Sequence, residues 1–368
     1  RFGQTVSRTR VLLLFGGRSA EHEVSVVSAR SVYAAIDRER YNVVLAGIDL
    51  QGRWCFGGKE ARLLESATVV SDELVPARLS SGGAFLVSED GDNLPDSEFD
   101  VVFPLLHGPY GEDGTVQGLL ELAGLAYVGA GVAASALGMD KALARAIFAA
   151  SGLPQTQYTV IMRSDWCRAQ VPVLERLEGE YDYPLFVKPA NLGSSVGISK
   201  AHDRQGLQVG LELASRYDTK LIVERSVENA RELECAVLGN EFPQASGVGE
   251  IIPGAEFYDY TTKYIDDRSE LVIPAVLEKS KTETIQQLAI QTFKAIDCSG
   301  LARVDFFMCP DGSVLVNEIN TMPGFTPISM YPKLWAAAGI AYGDLIDRLI
   351  QFGLERHLDR KDLQSTLS

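Results

Sequence analysis

Histidine is scarce in this chain, with four in 368 residues, so a histidine-rich metal centre is not expected. The five cysteines, Cys55, Cys167, Cys235, Cys298 and Cys309, are odd in number, scattered and never spaced as CxxC. That pattern argues against a disulfide framework or a zinc site. It favours free thiols in a reducing cytoplasm, with Cys235 and Cys309 as small core residues. Long apolar runs are missing too. The longest, Val11 to Phe15 and Val101 to Leu106, fall far short of the roughly 20 residues that cross a bilayer. No basic segment followed by an apolar stretch suggests a secretion signal. Positive charge is in deficit: 34 Lys and Arg stand against 49 Asp and Glu, for a formal net charge of −15. An acidic surface repels phosphate backbones, so neither nucleic acid nor a membrane is an expected partner. A small anion can still be held in a locally basic pocket. The GxxxxGK[ST] spacing of a Walker P-loop occurs nowhere, and there are no internal repeats or low-complexity tracts.

What is present is a globular mix, 46% apolar and 23% charged. A chain of 368 residues exceeds one ordinary core, so two or three lobes are expected. The first third alternates strands (residues 10–15, 42–48 and 100–106) with helices (24–36 and 114–122). Such alternation implies a parallel sheet with helices on its faces. Residues 59–98, with turn signals at Ser80 to Gly83 and Asp90 to Asn93, read as a less regular edge of that lobe. Gly129-Ala130-Gly131 marks a hinge before one helix over 139–150, stopped by Ser151, Gly152 and Pro154. A small α+β lobe follows, with strands over 183–188, 196–200 and 220–224 and a helix over 205–215. Beyond it come strands over 232–238 and 241–248, a Tyr-rich loop, a helix over 281–296, and strands over 302–308 and 313–319.

The sharpest chemistry sits in those last strands, at Arg303-Val304-Asp305 and Glu318-Ile319-Asn320. Alternation puts Arg303 and Asp305 on one face of a strand, and Glu318 and Asn320 on one face of the next. Cys309-Pro310-Asp311-Gly312 between them is a hairpin turn, which brings Asp305 opposite Glu318. Oxygen side chains that converge with open positions, and with few residues to neutralise them, suit magnesium. A solvated hairpin face is the plainer alternative, opposed by the apolar residues that otherwise fill both strands. Asn320 to Gly324 follows, a turn whose N–H groups can face an oxyanion. Upstream, Lys188 ends a strand beside Asn191 to Gly197, a loop of small residues able to fold over phosphates. A strand rather than a helix follows it, so it is no dinucleotide fingerprint. Taken singly, this loop is a flexible hairpin, Lys141 a surface lysine, and Glu224 to Val227 a strand end. Glu112-Asp113 read as acids favoured at a helix N-terminus. His107, after a buried strand, reads as orienting rather than as an acid or base.

Together these segments resemble the ATP-grasp ligases, most closely the D-alanine–D-alanine ligase family. The resemblance is carried by Gly16 to Ser25 (GGRSAEHEVS), Leu106-His107-Gly108 with Gly111 to Thr115 (GEDGT), Met139-Asp140-Lys141, and Val187-Lys188-Pro189 with Gly193 to Gly197 (GSSVG). It continues through Phe257 to Tyr260 (FYDY) with Lys263-Tyr264, Arg303-Val304-Asp305, and Asn317 to Asn320 (NEIN) with Pro323-Gly324. These stand in the family's order and span nearly the whole chain. Two departures are His22, where Arg is frequent, and Pro327 near the second-substrate region.

The resemblance implies a three-lobed ATP-grasp fold, α/β and α+β. A Rossmann-like parallel-sheet domain over 1–130 would bind the first D-alanine. A central lobe over 131–227 and a C-terminal lobe over 228–368 would clasp ATP, the latter carrying a mobile loop over 254–268. ATP would meet Lys141, Lys188, Ser194, Ser195 and Lys263 at its phosphates, and Glu224, Val227 and Glu232 at adenine and ribose. Two Mg2+ or Mn2+ ions would be held by Asp305, Glu318 and Asn320. Glu21 would pair with the ammonium of the first D-alanine, with His107 nearby, and Arg303 and the Gly324 N–H would face the oxyanion. Ser329, with Ser194 and Lys263, would grip the second substrate. Tyr264, directed towards Glu21 and Ser194, is the pattern of dipeptide-forming members rather than of those that make a D-lactate ester. The implied activity is carbon–nitrogen ligation of two D-alanines through an acyl phosphate, for peptidoglycan precursors, in a cytoplasmic homodimer. D-alanine–D-lactate or D-alanine–D-serine ligation and a nucleotide-binding regulatory module are the alternatives.

Overall fold

A computed structural model describes residues 8–58, 61–70, 74–80, 83–193, 196–253 and 270–363 of the chain. The expected site residues Ser194, Ser195, Lys263 and Tyr264, and the expected mobile loop over 254–268, lie outside these residues.

The run Val11 to Phe15 has no polar face, which suits a strand covered on both sides. It lies in the strand Thr9–Gly16, parallel to Tyr41–Ile48 and to Val101–Leu105, and the latter pairs with Ala126–Tyr127. Alternate side chains serve opposite faces. Val11, Leu13 and Phe15 pack with Val26, Ala29 and Val32 of the helix His22–Ala35. Leu12 and Leu14 pack with Val116 and Leu120 of the helix Thr115–Leu122. The stretch expected as an irregular edge is more ordered than that. Trp54–Gly58, Val75–Leu79, Phe85–Ser88 and Asn93–Glu98 continue the sheet, each antiparallel to its neighbour, to eight strands.

A second sheet has four antiparallel strands in the order Ser199–Ala201, Leu185–Pro189, Lys220–Arg225, Tyr158–Met162. The strand Tyr158–Met162 and the helices Arg163–Arg168 and Gln170–Glu180 are not among the expected elements. Trp166, Val173, Leu174 and Leu177 bury this lobe's own core. The third sheet orders five antiparallel strands as Glu270–Val272, Gln244–Ile252, Arg231–Gly239, Gly300–Met308, Val314–Asn320. Part of it packs on Ile285, Ala289 and Phe293 of the helix Lys279–Ala295. Ala236, Leu238 and Leu301 instead share a core with the helices Met330–Ala337 and Tyr342–Lys361 and with the first sheet. That shared core holds the first sheet against the third.

The helix expected over 139–150 is present as Lys141–Ala150, and a helix not among the expected elements precedes it. Val132–Met139 ends at Asp140, whose extended backbone (φ −83°, ψ 101°) starts Lys141–Ala150. The Asp140 carboxylate accepts from the N–H groups of Ala142 and Leu143 at 3.0 Å each, an N-cap that breaks the run and fixes where Lys141 emerges.

The turn after the first strand leaves no room for a side chain. Gly16 has φ +91°, and a Cβ there would lie 2.2 Å from the Ile48 carbonyl oxygen. Gly16→Ala should therefore lose roughly 1–3 kcal/mol of folding free energy, read as a lower midpoint in urea denaturation. An unchanged midpoint would mean that the turn relaxes freely.

Candidate active site

The carboxyl ends of the parallel strands, where ligands of such sheets gather, open onto a cleft of about 940 Å³ lined by residues of the second and third sheets and by the first lobe's loops and the helix His22–Ala35. The first lobe builds its wall from the turn between Gly16 and Glu21. Ser25 Oγ accepts from the Gly16 N–H at 2.8 Å and donates to the Leu105 carbonyl, tying turn, helix and strand together. His22 Nδ1 lies 2.6 Å from the Gly17 carbonyl, and its Nε2 accepts from the Val69 N–H at 3.0 Å. His22 therefore braces the turn, and Glu21, the residue before it, faces the cleft.

His107 is 3% exposed. Its Nδ1 sits 3.1 Å from the Met322 carbonyl and its Nε2 3.0 Å from Ser28 Oγ. A carbonyl only accepts, so Nδ1 carries the proton and Nε2 accepts from the serine. Burial lowers the His107 pKa, against the opposing pull of Glu21 and of the bond to Met322. The imidazole is thus neutral and fixed in one tautomer.

Glu112 departs from the expectation. Asp113 does cap the helix start, accepting from the Thr115 N–H at 3.0 Å and the Tyr110 N–H at 2.8 Å. Glu112 instead turns into the cleft and accepts from the Gly108 N–H at 2.6 Å. Burial, with the nearby charge of Glu21, lifts its pKa from the ordinary 4.5 to about 8. The Gly108 N–H, Arg303 and Lys141 offset part of that rise.

In the second sheet, Lys188 and Glu224 occupy adjacent strands and form an ion pair. Arg145, 2% exposed and absent from the expected site, binds the same carboxylate and donates to Thr156 Oγ1 at 2.7 Å. Burial pushes the Glu224 pKa up, but Arg145 and Lys188 outweigh it and hold the carboxyl ionised. Lys141 Nζ donates to the Leu192 carbonyl at 2.8 Å and lies 3.5 Å from Glu318. Val227 and Glu232 line the same cleft.

The hairpin of the third sheet has the expected register, with Asp305 opposite Glu318 and Arg303 opposite Asn320. Its turn closes through Gly312 N–H to the Cys309 carbonyl at 2.8 Å. One expectation is corrected: these acids are neutralised. Arg303 donates from Nε and one Nη to both Asp305 oxygens at 2.7 Å, and Asn320 Nδ2 adds a bond at 3.1 Å. Burial disfavours the Arg303 charge, yet Asp305, Glu234 and Glu318 keep the guanidinium firmly protonated. Gly324 and Ser329 complete the wall, with Ser329 Oγ 2.8 Å from Thr326 Oγ1. Among the described residues no three His, Cys, Asp or Glu side chains are placed to hold a metal ion. Two carboxylates and an amide oxygen are a partial shell for a hard cation, and they fit one whose remaining positions go to phosphate oxygens. All five cysteines are free, Cys235 buried and Cys309 only partly so. No helix among the described residues is long and apolar enough to cross a membrane.

Residues 10–130 match the family described as D-ala D-ala ligase N-terminus, and residues 147–351 the family described as D-ala D-ala ligase C-terminus. A D-alanine–D-alanine ligase of Acetivibrio thermocellus is 47% identical, covering 96% of this chain and 97% of its own. One from Geobacillus thermodenitrificans is also 47% identical, covering 98% and 99%. Among solved structures, the D-alanine-D-alanine ligase from Coxiella burnetii superposes with a TM-score of 0.81 at 37% identity, covering 96% of this chain and 97% of that one. The VanG D-Ala:D-Ser ligase from Enterococcus faecalis superposes with a TM-score of 0.84 at 35% identity, covering 94% and 100%.

An acid whose pKa is about 8 when folded and 4.5 when unfolded keeps a proton that the unfolded chain has lost, so between those values stability falls as pH rises. Glu112→Gln should flatten that fall between about pH 5 and about pH 8, read by chemical denaturation across the range. An unchanged slope would place an ionised Glu112 in the cleft at neutral pH.

Proposed function

This chain belongs to the D-alanine–D-alanine ligase family, and we propose that it joins two D-alanines at the expense of ATP, through an acyl phosphate, to supply peptidoglycan precursors. The fold is the three-lobed ATP-grasp architecture of that family. The observation that carries the proposal is the convergence of Lys141, Lys188, Glu224, Arg303, Asp305 and Glu318, from a helix and two sheets, on one cleft. The lobes are proposed as 1–130, 131–227 and 228–368, with the helices Val132–Met139 and Lys141–Ala150 packed on the core of the third sheet.

The chemistry follows from the charges. A carboxylate acylates poorly because its oxygen will not leave. An oxygen of the first D-alanine therefore attacks the γ-phosphorus of ATP, a P–O bond to ADP breaks, and the acyl phosphate gains a good leaving group. Lys141 and Lys188 neutralise phosphate charge, with Ser194, Ser195 and Lys263 as further contacts, while Glu224, Val227 and Glu232 receive adenine and ribose. Two Mg2+ or Mn2+ ions bound by Asp305, Glu318 and Asn320 would neutralise phosphate oxygens during the transfer. The amine of the second D-alanine then attacks the carbonyl carbon, the C–O bond to phosphate breaks, and a proton is released. Arg303 and the Gly324 N–H receive the oxyanion, a contact worth roughly 3–4 kcal/mol per donor in well-studied enzymes. Glu21 takes the ammonium of the first substrate, and His107, held neutral, orients that wall. Ser329 and Tyr264 bound the second subsite. The reading includes a cytoplasmic homodimer with no nucleic-acid or membrane partner, which the acidic balance and the free thiols support.

The test is phosphate release with ATP, magnesium and D-alanine, with the product identified by mass and parallel tubes holding L-alanine, D-serine or D-lactate. D-alanine-dependent release with D-alanyl-D-alanine as product is expected, and Glu318→Gln should be nearly inactive. Release only with added D-serine would move the chain to the activity that the VanG neighbour is named for. Nucleotide binding without release would leave a regulatory module.

A further inference from the structure

Arg303 serves two carboxylates at once. Both oxygens of Asp305 are taken up by its guanidinium at 2.7 Å, and Asn320 adds a third bond. An ionised carboxylate offers about four lone-pair sites, so an Asp305 engaged in this way has little left for a cation. If Asp305 ligates a divalent ion, as proposed above, the ion draws on the same oxygens that hold Arg303 and weakens their grip on it. A largely buried guanidinium left without an anion is costly and tends to leave its place.

A second anion stands ready. Glu234 is 5% exposed, and its Oε2 lies 3.0 Å from Arg303 Nε, the same nitrogen that donates to Asp305 Oδ1. Glu234 is opposite Asp305, which is opposite Glu318, so three acids form a row across three neighbouring strands. All three line the cleft, with Arg303 among them. The one Nε hydrogen points at Asp305, and Glu234 Oε2 holds the guanidinium by charge alone, so a turn of the guanidinium plane with no translation of Nε carries it from one acid to the other.

We propose that Glu234 is a positioning residue. It holds Arg303 by the Nε edge when a divalent cation engages Asp305, so that the outer edge of the guanidinium stays presented to the reacting carbonyl. This rests on the assignment of Asp305 as a metal ligand. It adds that metal binding and the pose of Arg303 are linked through an acid outside the ligand set.

The test is Mn2+ binding to the full chain in the presence of ADP, followed by the paramagnetic resonance of free Mn2+, beside steady-state kinetics. In Glu234→Gln, the full charges left to Arg303 are Asp305 and Glu318, the two acids assigned to the ion, so it competes with the ion for them. Mn2+ binding should weaken about tenfold, the lower end for outer-shell partners, and kcat should fall while the KM for ATP stays near its original value. Glu234→Asp, which keeps the charge, should recover most of both. Glu234→Gln should change nothing further for Mn2+ in an Arg303→Met background, because the proposed route runs through Arg303. That comparison also serves if the single variant fails to fold. Wild-type Mn2+ binding and kcat in Glu234→Gln, or an equal loss in Glu234→Asp, would overturn the proposal. So would a further loss in the Arg303→Met background. Asp305→Asn is the control: if it leaves Mn2+ binding intact, the metal assignment itself is wrong.

Discussion

Charge in a confined cleft must be matched by charge, and the architecture of this protein is arranged around that constraint. Glu224 stays ionised although it is 2% exposed, because Arg145 and Lys188 close on it from a helix and a neighbouring strand. Arg303 stays charged because Asp305, Glu234 and Glu318 surround it. Removing one member of such a set strands the others, which typically costs about 3–5 kcal/mol. Each cation is thus kept in place by anions.

Three separate folding problems are solved so that these groups can meet. Two neighbouring parallel strands, Thr9–Gly16 and Val101–Leu105, set Glu21 and His107 beyond their carboxyl ends. An Asp140 cap starts the helix that aims Lys141 at the hairpin of the third sheet, and Lys220 braces that cap. The C-terminal helix closes the frame, its Arg356 clasping the linker carbonyls of Tyr127 and Gly129 and donating to Ser299 Oγ at 2.7 Å. Because the first and third sheets share a core through Met322, Phe325 and Tyr331, the wall around His107 and the turn from Asn320 to Gly324 form one packed unit.

Much of this was legible in the chain, and the reason is periodicity. The run Val11 to Phe15 and the pairing of Asp305 with Glu318 both follow from a strand repeat of two with a recognisable turn. Less legible was whatever depends on residues far apart. Arg145 sits mid-helix in an alanine-rich segment, and nothing local says that its partner is Glu224, 79 positions away. Glu112 looked like a capping acid because Asp113 beside it is one, and only the third dimension turns Glu112 into the cleft. Glu234 could have been found, since it shares strand parity with Glu232 and sits between the apolar Leu233 and Cys235. The edge strands between Trp54 and Glu98 escaped because they are short and broken by Pro76 and Pro95, so no apolar alternation builds up.

The central claim is that the cleft activates a carboxylate by phosphorylating it before an amine attacks. The most direct test uses D-alanine labelled with oxygen-18 in its carboxylate, with the released phosphate read by mass. The carboxylate oxygen that attacks phosphorus stays with phosphorus when the C–O bond breaks, so each phosphate should carry one labelled oxygen. Unlabelled phosphate, released in step with the dipeptide, would contradict an acyl phosphate and with it the roles given to the charges around the cleft.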